Sequence, residues 1–180
     1  GIELKGKKLG ILAYGNVGRN VARIAKGFGM EVCAYDAFCP ASVIEADGVK
    51  AVASTADLFK ECQIVSLHIP ATPETKGSIN HELMSSMPKN AILVNTARKE
   101  VMDEASLAQI LAERPDFKYL TDVMPAIHPE LAEKFGARYF STPKKMGAQT
   151  AEANINAGIA AAKQIVDYLV SGNERFRVNK

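Results

Sequence analysis

The chain has 180 residues, 47% of them apolar, enough to bury one sizeable core and too few for two full domains. A formal net charge of +2, with no long run of like charges, excludes a nucleic-acid or membrane surface as the expected partner and leaves small molecules or other subunits. Cys33, Cys39 and Cys62 lack the paired spacing of a zinc site or a C-x-x-C redox pair. No stretch reaches membrane-spanning length and no secretory signal opens the chain, so a reduced, cytoplasmic setting without a bound metal is expected. The start at Gly1, almost directly ahead of the first strand, suggests an excised domain.

In chain order, Leu9, Ile11 and Leu12 read as a buried parallel strand, and A-Y-G-N-V-G at residues 13–18 turns the backbone into a helix. Gly15 lets the backbone approach a pyrophosphate, and Gly18 lets the new helix lie against the strand. The free N–H groups at the helix start then face the phosphates. Ala13 stands where the first glycine of G-x-G-x-x-G belongs, a departure without large cost if its φ stays negative. Asp36 follows a second strand at 32–35, placed to accept hydrogen bonds from an adenosine ribose and to repel a 2′-phosphate. Neither Ala37 nor Phe38 is basic, so the expected cofactor is NAD rather than NADP.

The helix after the turn is expected to bury Val17, Val21, Ile24, Ala25 and Phe28 and to end at Gly29 in a left-handed cap. Further strands are expected at 50–53, 64–68, 91–95, 118–123 and 138–141, with helices between most of them. Asp103 reads as the N-cap of a helix over 104–113, which Arg114 and Pro115 stop. A long helix over 150–170 carries Ile155, Ile159, Ala162, Ile165, Val166 and Leu169 on one stripe, to be covered by the sheet or by another subunit. The polar tail 171–180 alternates Phe176 and Val178 against charges and reads as a strand awaiting a partner from outside the chain. Alternating strands and helices with no linker and no repeat predict an α/β fold: a doubly wound parallel sheet, three layers, in a single domain.

In such a sheet the working residues project from the carboxyl ends of the strands. The strand at 91–95 ends in N-T-A-R, which brings Arg98 to the crevice, where a guanidinium fork can hold a carboxylate through two hydrogen bonds. The strand at 118–123 ends at Asp122, and the strand at 138–141 runs into T-P-K-K-M-G-A-Q-T with Lys144 and Lys145. His68 reads as a strand-end packing residue, His81 as a surface residue at a helix start and His128 as part of an exposed loop.

Three segments now act together: G-K-K-L-G-I-L-A-Y-G-N-V-G-R, S-L-H-I-P-A-T-P-E-T-K-G and A-I-L-V-N-T-A-R-K-E-V-M-D-E. From residue 1 to about residue 172 the chain resembles the nucleotide-binding domain of the D-2-hydroxyacid dehydrogenases, most of all their branch acting on D-3-phosphoglycerate. The resemblance implies a Rossmann-type fold, an NAD cofactor, a small 2-hydroxy acid substrate and a homodimer. It also implies a substrate-binding domain built from residues outside this chain. Residues 1–172 would be the NAD-binding domain and 173–180 a tail toward the missing domain, so the chain alone would bind NAD and turn over slowly or not at all.

Residue by residue, the resemblance gives Asn16 and Val17 the phosphates, together with Gly15 and Gly18, and gives Asp36 the ribose. Ile69 and Pro70 match a loop under the adenosine and nicotinamide ribose. Thr96, Ala97 and Arg98 match the segment touching cofactor and substrate, Asp122 an acid near the nicotinamide carboxamide, and Gly147 a further cofactor position. Of the family's Arg, Glu and His set, Arg98 keeps the first place. Lys145 stands at the histidine position, two residues before the Gly147–Ala148 pair, and Ile127 stands at the glutamate position. Losing both together is coherent, because the acid serves to hold the imidazole. His128 or Glu130 would be the nearest stand-in for it. For Lys145 to act as the proton donor its pKa should fall from about 10.4 toward about 7–8, through burial and the charge of Arg98. The resemblance leaves open another substrate (glyoxylate, hydroxypyruvate or D-lactate) or a non-catalytic NAD sensor.

Overall fold

The computed structural model describes residues 1–179 and separates into two compact units, Gly1–Lys144 and Lys145–Lys180. The first holds seven strands: β1 (Lys8–Leu12), β2 (Glu31–Tyr35), β3 (Lys50–Ala51), β4 (Ile64–Leu67), β5 (Ile92–Asn95), β6 (Lys118–Thr121) and β7 (Tyr139–Ser141). Between them run α1 (Asn16–Gly27), α2 (Ala41–Ala46), α3 (Thr55–Glu61), α4 (His81–Ser86), α5 (Glu104–Glu113) and α6 (His128–Phe135). Every strand falls on a segment expected from the sequence to be one. All pairings are parallel, in the order β3-β2-β1-β4-β5-β6-β7, the expected doubly wound sheet.

The chain winds outward from β1 in one direction and from β4 in the other, so the switch point lies between these neighbours, paired through Leu12 and Leu67 at their carboxyl ends. Side chains alternate along each strand and feed two cores, which makes three layers. Leu9, Ile11, Val32 and Ala34 pack with Ala22 and Ala25 of α1 and Ile44 of α2. Leu12, Leu67, Leu93 and Tyr119 pack with Phe59 of α3, Met84 of α4, Ile110 of α5 and Leu131 of α6.

Several local expectations hold. Asp103 caps α5, its Oδ1 accepting from the N–H groups of Ala105 at 3.1 Å and Ser106 at 3.2 Å, and Gly29 has a left-handed φ of 73°. Three others do not. On α1 the buried positions are Gly18, Ala22 and Ala25, while Val17, Ile24 and Phe28 are exposed. The helix lies close to the sheet, and only small residues fit the contact line. Ala13 has a φ of 77°, so it takes the left-handed conformation of the glycine it replaces instead of avoiding it. His128 is no loop residue: it opens α6, half-buried, with Nδ1 2.8 Å from the Tyr139 hydroxyl.

The second unit is one long helix, α7 (Ala151–Ser171), and its tail. Thr150 Oγ1 caps its start by accepting from Ala153 N–H at 3.0 Å, and Gly172 ends it with a φ of 71°. None of its residues is buried, and Ile155, Ile159 and Ile165 of the apolar stripe are exposed. The tail forms no strand through Asn179, and Lys180 lies outside the described residues. Local polar contacts set its course instead: Asn173 Nδ2 donates to Asp167 Oδ2 at 2.6 Å, and Arg177 pairs with Glu174 at 3.0 Å. No helix among the described residues is long and apolar enough to cross a membrane.

His68 follows β4 at the switch point, its N–H donating to the Leu12 carbonyl at 2.9 Å and its Nε2 3.0 Å from the hydroxyl of buried Ser66. Burial pulls the imidazole down to about 4 from 6.5. The unfolded chain therefore binds the extra proton first, and the stability held above pH 6.5 is lost as the pH falls toward 4. Urea unfolding should show a loss of about 2 kcal/mol between about pH 7 and about pH 5 that disappears in His68→Gln. An equal loss in the variant would contradict the assignment. Separately, Ala13→Gly should raise stability by up to about 1 kcal/mol, because the left-handed penalty exceeds the entropy glycine adds to the unfolded chain. A lower urea midpoint for that variant would count against the strain at Ala13.

Candidate functional site

The site begins where β1 turns into α1. Ala13 N–H donates to the Tyr35 carbonyl at 2.9 Å, and Tyr14 N–H donates to Asp36 Oδ2 at 2.7 Å, so the end of β2 clamps the turn. The other oxygen, Asp36 Oδ1, accepts from Phe38 N–H at 2.7 Å and Cys39 N–H at 2.9 Å. Sequence reasoning gave Asp36 a ligand to hold and missed this clamp, although an acid followed two and three residues on by backbone donors is an Asx-type turn signal. Oδ1 is saturated by its two donors, whereas Oδ2 has taken one and keeps room for another.

At Gly18 a Cβ would stand 2.3 Å from the Ala13 carbonyl oxygen, so only glycine permits the helix to leave the turn at this point. At Gly15 a Cβ would meet nothing within 4 Å, and the backbone there faces open space. Gly15 is also the N-cap of α1 and brings no side-chain cap, and no acid stands in the first turn. The amides of Asn16, Val17 and Gly18 are thus presented with the positive end of the helix dipole, an arrangement suited to phosphate oxygens.

Across the switch point, the β4 loop carries Ile69, half-buried against the core, and Pro70, exposed, whose carbonyl accepts from the Thr75 hydroxyl at 2.6 Å. The β5 loop carries Thr96, Ala97 and Arg98, of which Ala97 is buried while Thr96 and Arg98 are exposed. An Arg98 terminal nitrogen donates to the Ala97 carbonyl at 2.8 Å. One strand further, Asp122 N–H donates to the Asn95 carbonyl at 3.3 Å, and Asp122 Oδ1 is buried without a hydrogen-bond partner. An orphaned buried carboxylate oxygen at this edge calls for an external N–H or O–H donor, and an amide such as a nicotinamide carboxamide supplies one. The uncapped helix, the open face at Gly15, the spare acceptor on Asp36 and the orphan on Asp122 together fit a dinucleotide.

The remaining expected residues divide clearly. Ile127 is half-buried and packs against the core. Its amide and that of Ala126 donate to the two carboxylate oxygens of Glu104, at 3.2 and 2.9 Å, a contact spanning more than twenty residues that nothing in the sequence announces. Of the proposed stand-ins, His128 is bonded to Tyr139 and Glu130 pairs with Lys134 at 2.9 Å. Lys145 and Gly147 belong to the second unit; both are exposed, with Gly147 in a turn closed by Gln149 N–H on the Met146 carbonyl at 2.9 Å.

Comparison with known proteins agrees with this geometry. A family profile described as D-isomer specific 2-hydroxyacid dehydrogenase, NAD binding domain, matches residues 1–140. The chain is 38% identical over 169 residues to D-3-phosphoglycerate dehydrogenase of Methanocaldococcus jannaschii, covering 92% of this chain and 32% of that protein. It is 36% identical over 169 residues to hydroxypyruvate reductase of Thermotoga maritima, covering 92% and 54%. Among solved structures, the NAD+-bound 3-phosphoglycerate dehydrogenase of Entamoeba histolytica superimposes with a TM-score of 0.87 at 46% identity, covering 100% of this chain and 57% of that one. The chain thus spans between 32% and 54% of the length of these curated relatives. With an all-parallel doubly wound sheet, a glycine turn at its switch point and an arginine-bearing loop beside it, the chain belongs to the NAD-binding domain family of the D-isomer-specific 2-hydroxyacid dehydrogenases.

Proposed function

We propose that this chain is the cofactor half of a dehydrogenase that oxidises D-3-phosphoglycerate to 3-phosphohydroxypyruvate, the entry to serine biosynthesis. The relatives named D-3-phosphoglycerate dehydrogenase, at 38% and 36% identity, and the 46% identical solved enzyme support the substrate. Residues 1–172 form the NAD-binding domain, and 173–180 lead toward a substrate domain outside this chain. The working protein is a cytoplasmic homodimer.

The observation that carries the reading is the unpartnered oxygen of Asp122, one strand from the Arg98 loop. Gly15, Asn16, Val17 and Gly18 cradle the pyrophosphate, and Asp36 Oδ2 accepts from the adenosine ribose. Ile69 and Pro70 lie under the adenosine and nicotinamide ribose, Thr96 and Ala97 touch the cofactor, Asp122 stands near the nicotinamide carboxamide, and Gly147 is a further cofactor position. NAD supplies the hydride acceptor. Arg98 binds the substrate carboxylate and polarises the reacting oxygen, while Lys145 takes the hydroxyl proton in oxidation and returns it in reduction. Lys145 is exposed in this chain, at the start of the unit that carries the long helix.

A second reading keeps the chemistry and changes the acid, favoured by the 36% identity to hydroxypyruvate reductase. One set of assays on the full-length protein separates them. Arg98→Ala and Lys145→Ala should each lower kcat/KM for 3-phosphohydroxypyruvate reduction by at least about a hundredfold with NADH affinity retained. Unchanged turnover in Lys145→Ala would remove it as the acid. Faster parent turnover of hydroxypyruvate than of its phosphate ester would establish the second reading.

A further inference from the structure

Asn95 closes β5, and its side chain is completely buried. Oδ1 accepts from Ala97 N–H at 3.0 Å, and Nδ2 donates to the Arg98 carbonyl at 3.0 Å and to the Tyr119 hydroxyl at 3.2 Å. One amide group therefore staples the loop on both sides of the Ala97–Arg98 peptide. Its backbone carbonyl holds the next strand as well, accepting from Thr121 Oγ1 at 2.7 Å and Asp122 N–H at 3.3 Å.

Tyr119 is fully buried on β6, and burial pushes its hydroxyl up to about 12, so it stays neutral and accepts from Asn95 across the working range. Its ring stacks on Tyr139 with centroids 6.1 Å apart and planes 11° apart, and the Tyr139 hydroxyl meets His128 at the start of α6. The latch is thus anchored in β6, β7 and α6 rather than in the loop it holds. Burying an amide and a phenol costs desolvation that an apolar pair would not, and such networks give a fixed geometry in return.

We infer that Asn95, held by the Tyr119 hydroxyl, is a positioning residue for Arg98, fixing the backbone from which the guanidinium projects toward the substrate carboxylate. The inference rests on the reading of Arg98 above. Displacing such a group by about 1 Å costs up to about a hundredfold in rate, so the effect is measurable. Tyr119→Phe removes only the hydroxyl and leaves the ring stack to hold the fold.

The test is steady-state reduction of 3-phosphohydroxypyruvate by the full-length protein, with NADH affinity and melting temperature measured on the same samples. Tyr119→Phe should raise KM for the oxo acid by about tenfold while the Kd for NADH moves less than about threefold, and Asn95→Ala should exceed it in KM and also lower kcat. A parent KM in Tyr119→Phe overturns the inference, whatever its melting temperature. An NADH Kd rising by as large a factor as KM overturns it as well. Arg98→Ala is the control on the underlying reading: if turnover survives there, Arg98 is not the carboxylate ligand. If Arg98→Ala abolishes turnover while Tyr119→Phe and Asn95→Ala match the parent, only the latch is refuted.

Discussion

The carboxylate of Asp36 is the interaction on which the crevice depends. Three backbone N–H groups converge on it, from Tyr14 in the glycine turn and from Phe38 and Cys39 in the next loop, all within 2.9 Å. Hydrogen bonds to an ionised acceptor are short and strong, so one side chain joins the ends of β1 and β2. That clamp holds Tyr14 directly after Ala13 in its left-handed conformation. The turn in turn sets the direction of α1, because Gly18 packs against the Ala13 carbonyl with no room for a Cβ. Under the proposed function, the same carboxylate keeps one acceptor site for a ribose hydroxyl and sets a negative charge where a 2′-phosphate would lie.

The other side of the crevice is held by side chains that cross between loops. Asn95 ties the Arg98 loop to β6, and Glu104 accepts from Ala126 and Ile127 at the start of α6, which has no side-chain cap of its own. Ile127 itself turns into the core. Fixed loops on both sides of a parallel sheet present backbone amides on one edge, and on the other an arginine and an acid with one unpartnered oxygen. A dinucleotide and a carboxylate need both kinds of group.

Much of the fold was legible because its central strands β1, β2, β4 and β5 carry apolar runs and its turns carry their own chemistry, as at Asp103 and Gly29. The failures have physical causes. Val17, Ile24 and Phe28 repeat at helical spacing, yet the face of α1 is chosen by how closely it meets the sheet, which favours Gly18, Ala22 and Ala25. The residue type of Ala13 gave no hint that the turn would impose glycine's conformation on it. The motif residues were visible one by one, but the contacts that support them, Asn95 to Tyr119 and Glu104 to Ile127, join residues more than twenty apart and leave no periodic trace. The tail around Phe176 mimics a strand pattern, while its hydrogen bonds to Asp167 belong to a local turn.

Under the proposed function, the turn at Ala13–Gly18 and Asp36 form a site that accepts NAD and rejects NADP. The direct measurement is a fluorescence titration of the chain with NADH and with NADPH, repeated on Asp36→Asn, which keeps the shape and removes the charge. Saturable NADH binding, NADPH at least about tenfold weaker, and a smaller gap in the variant are expected. Equal affinity of the parent chain for the two cofactors, or no binding of NADH, would contradict this.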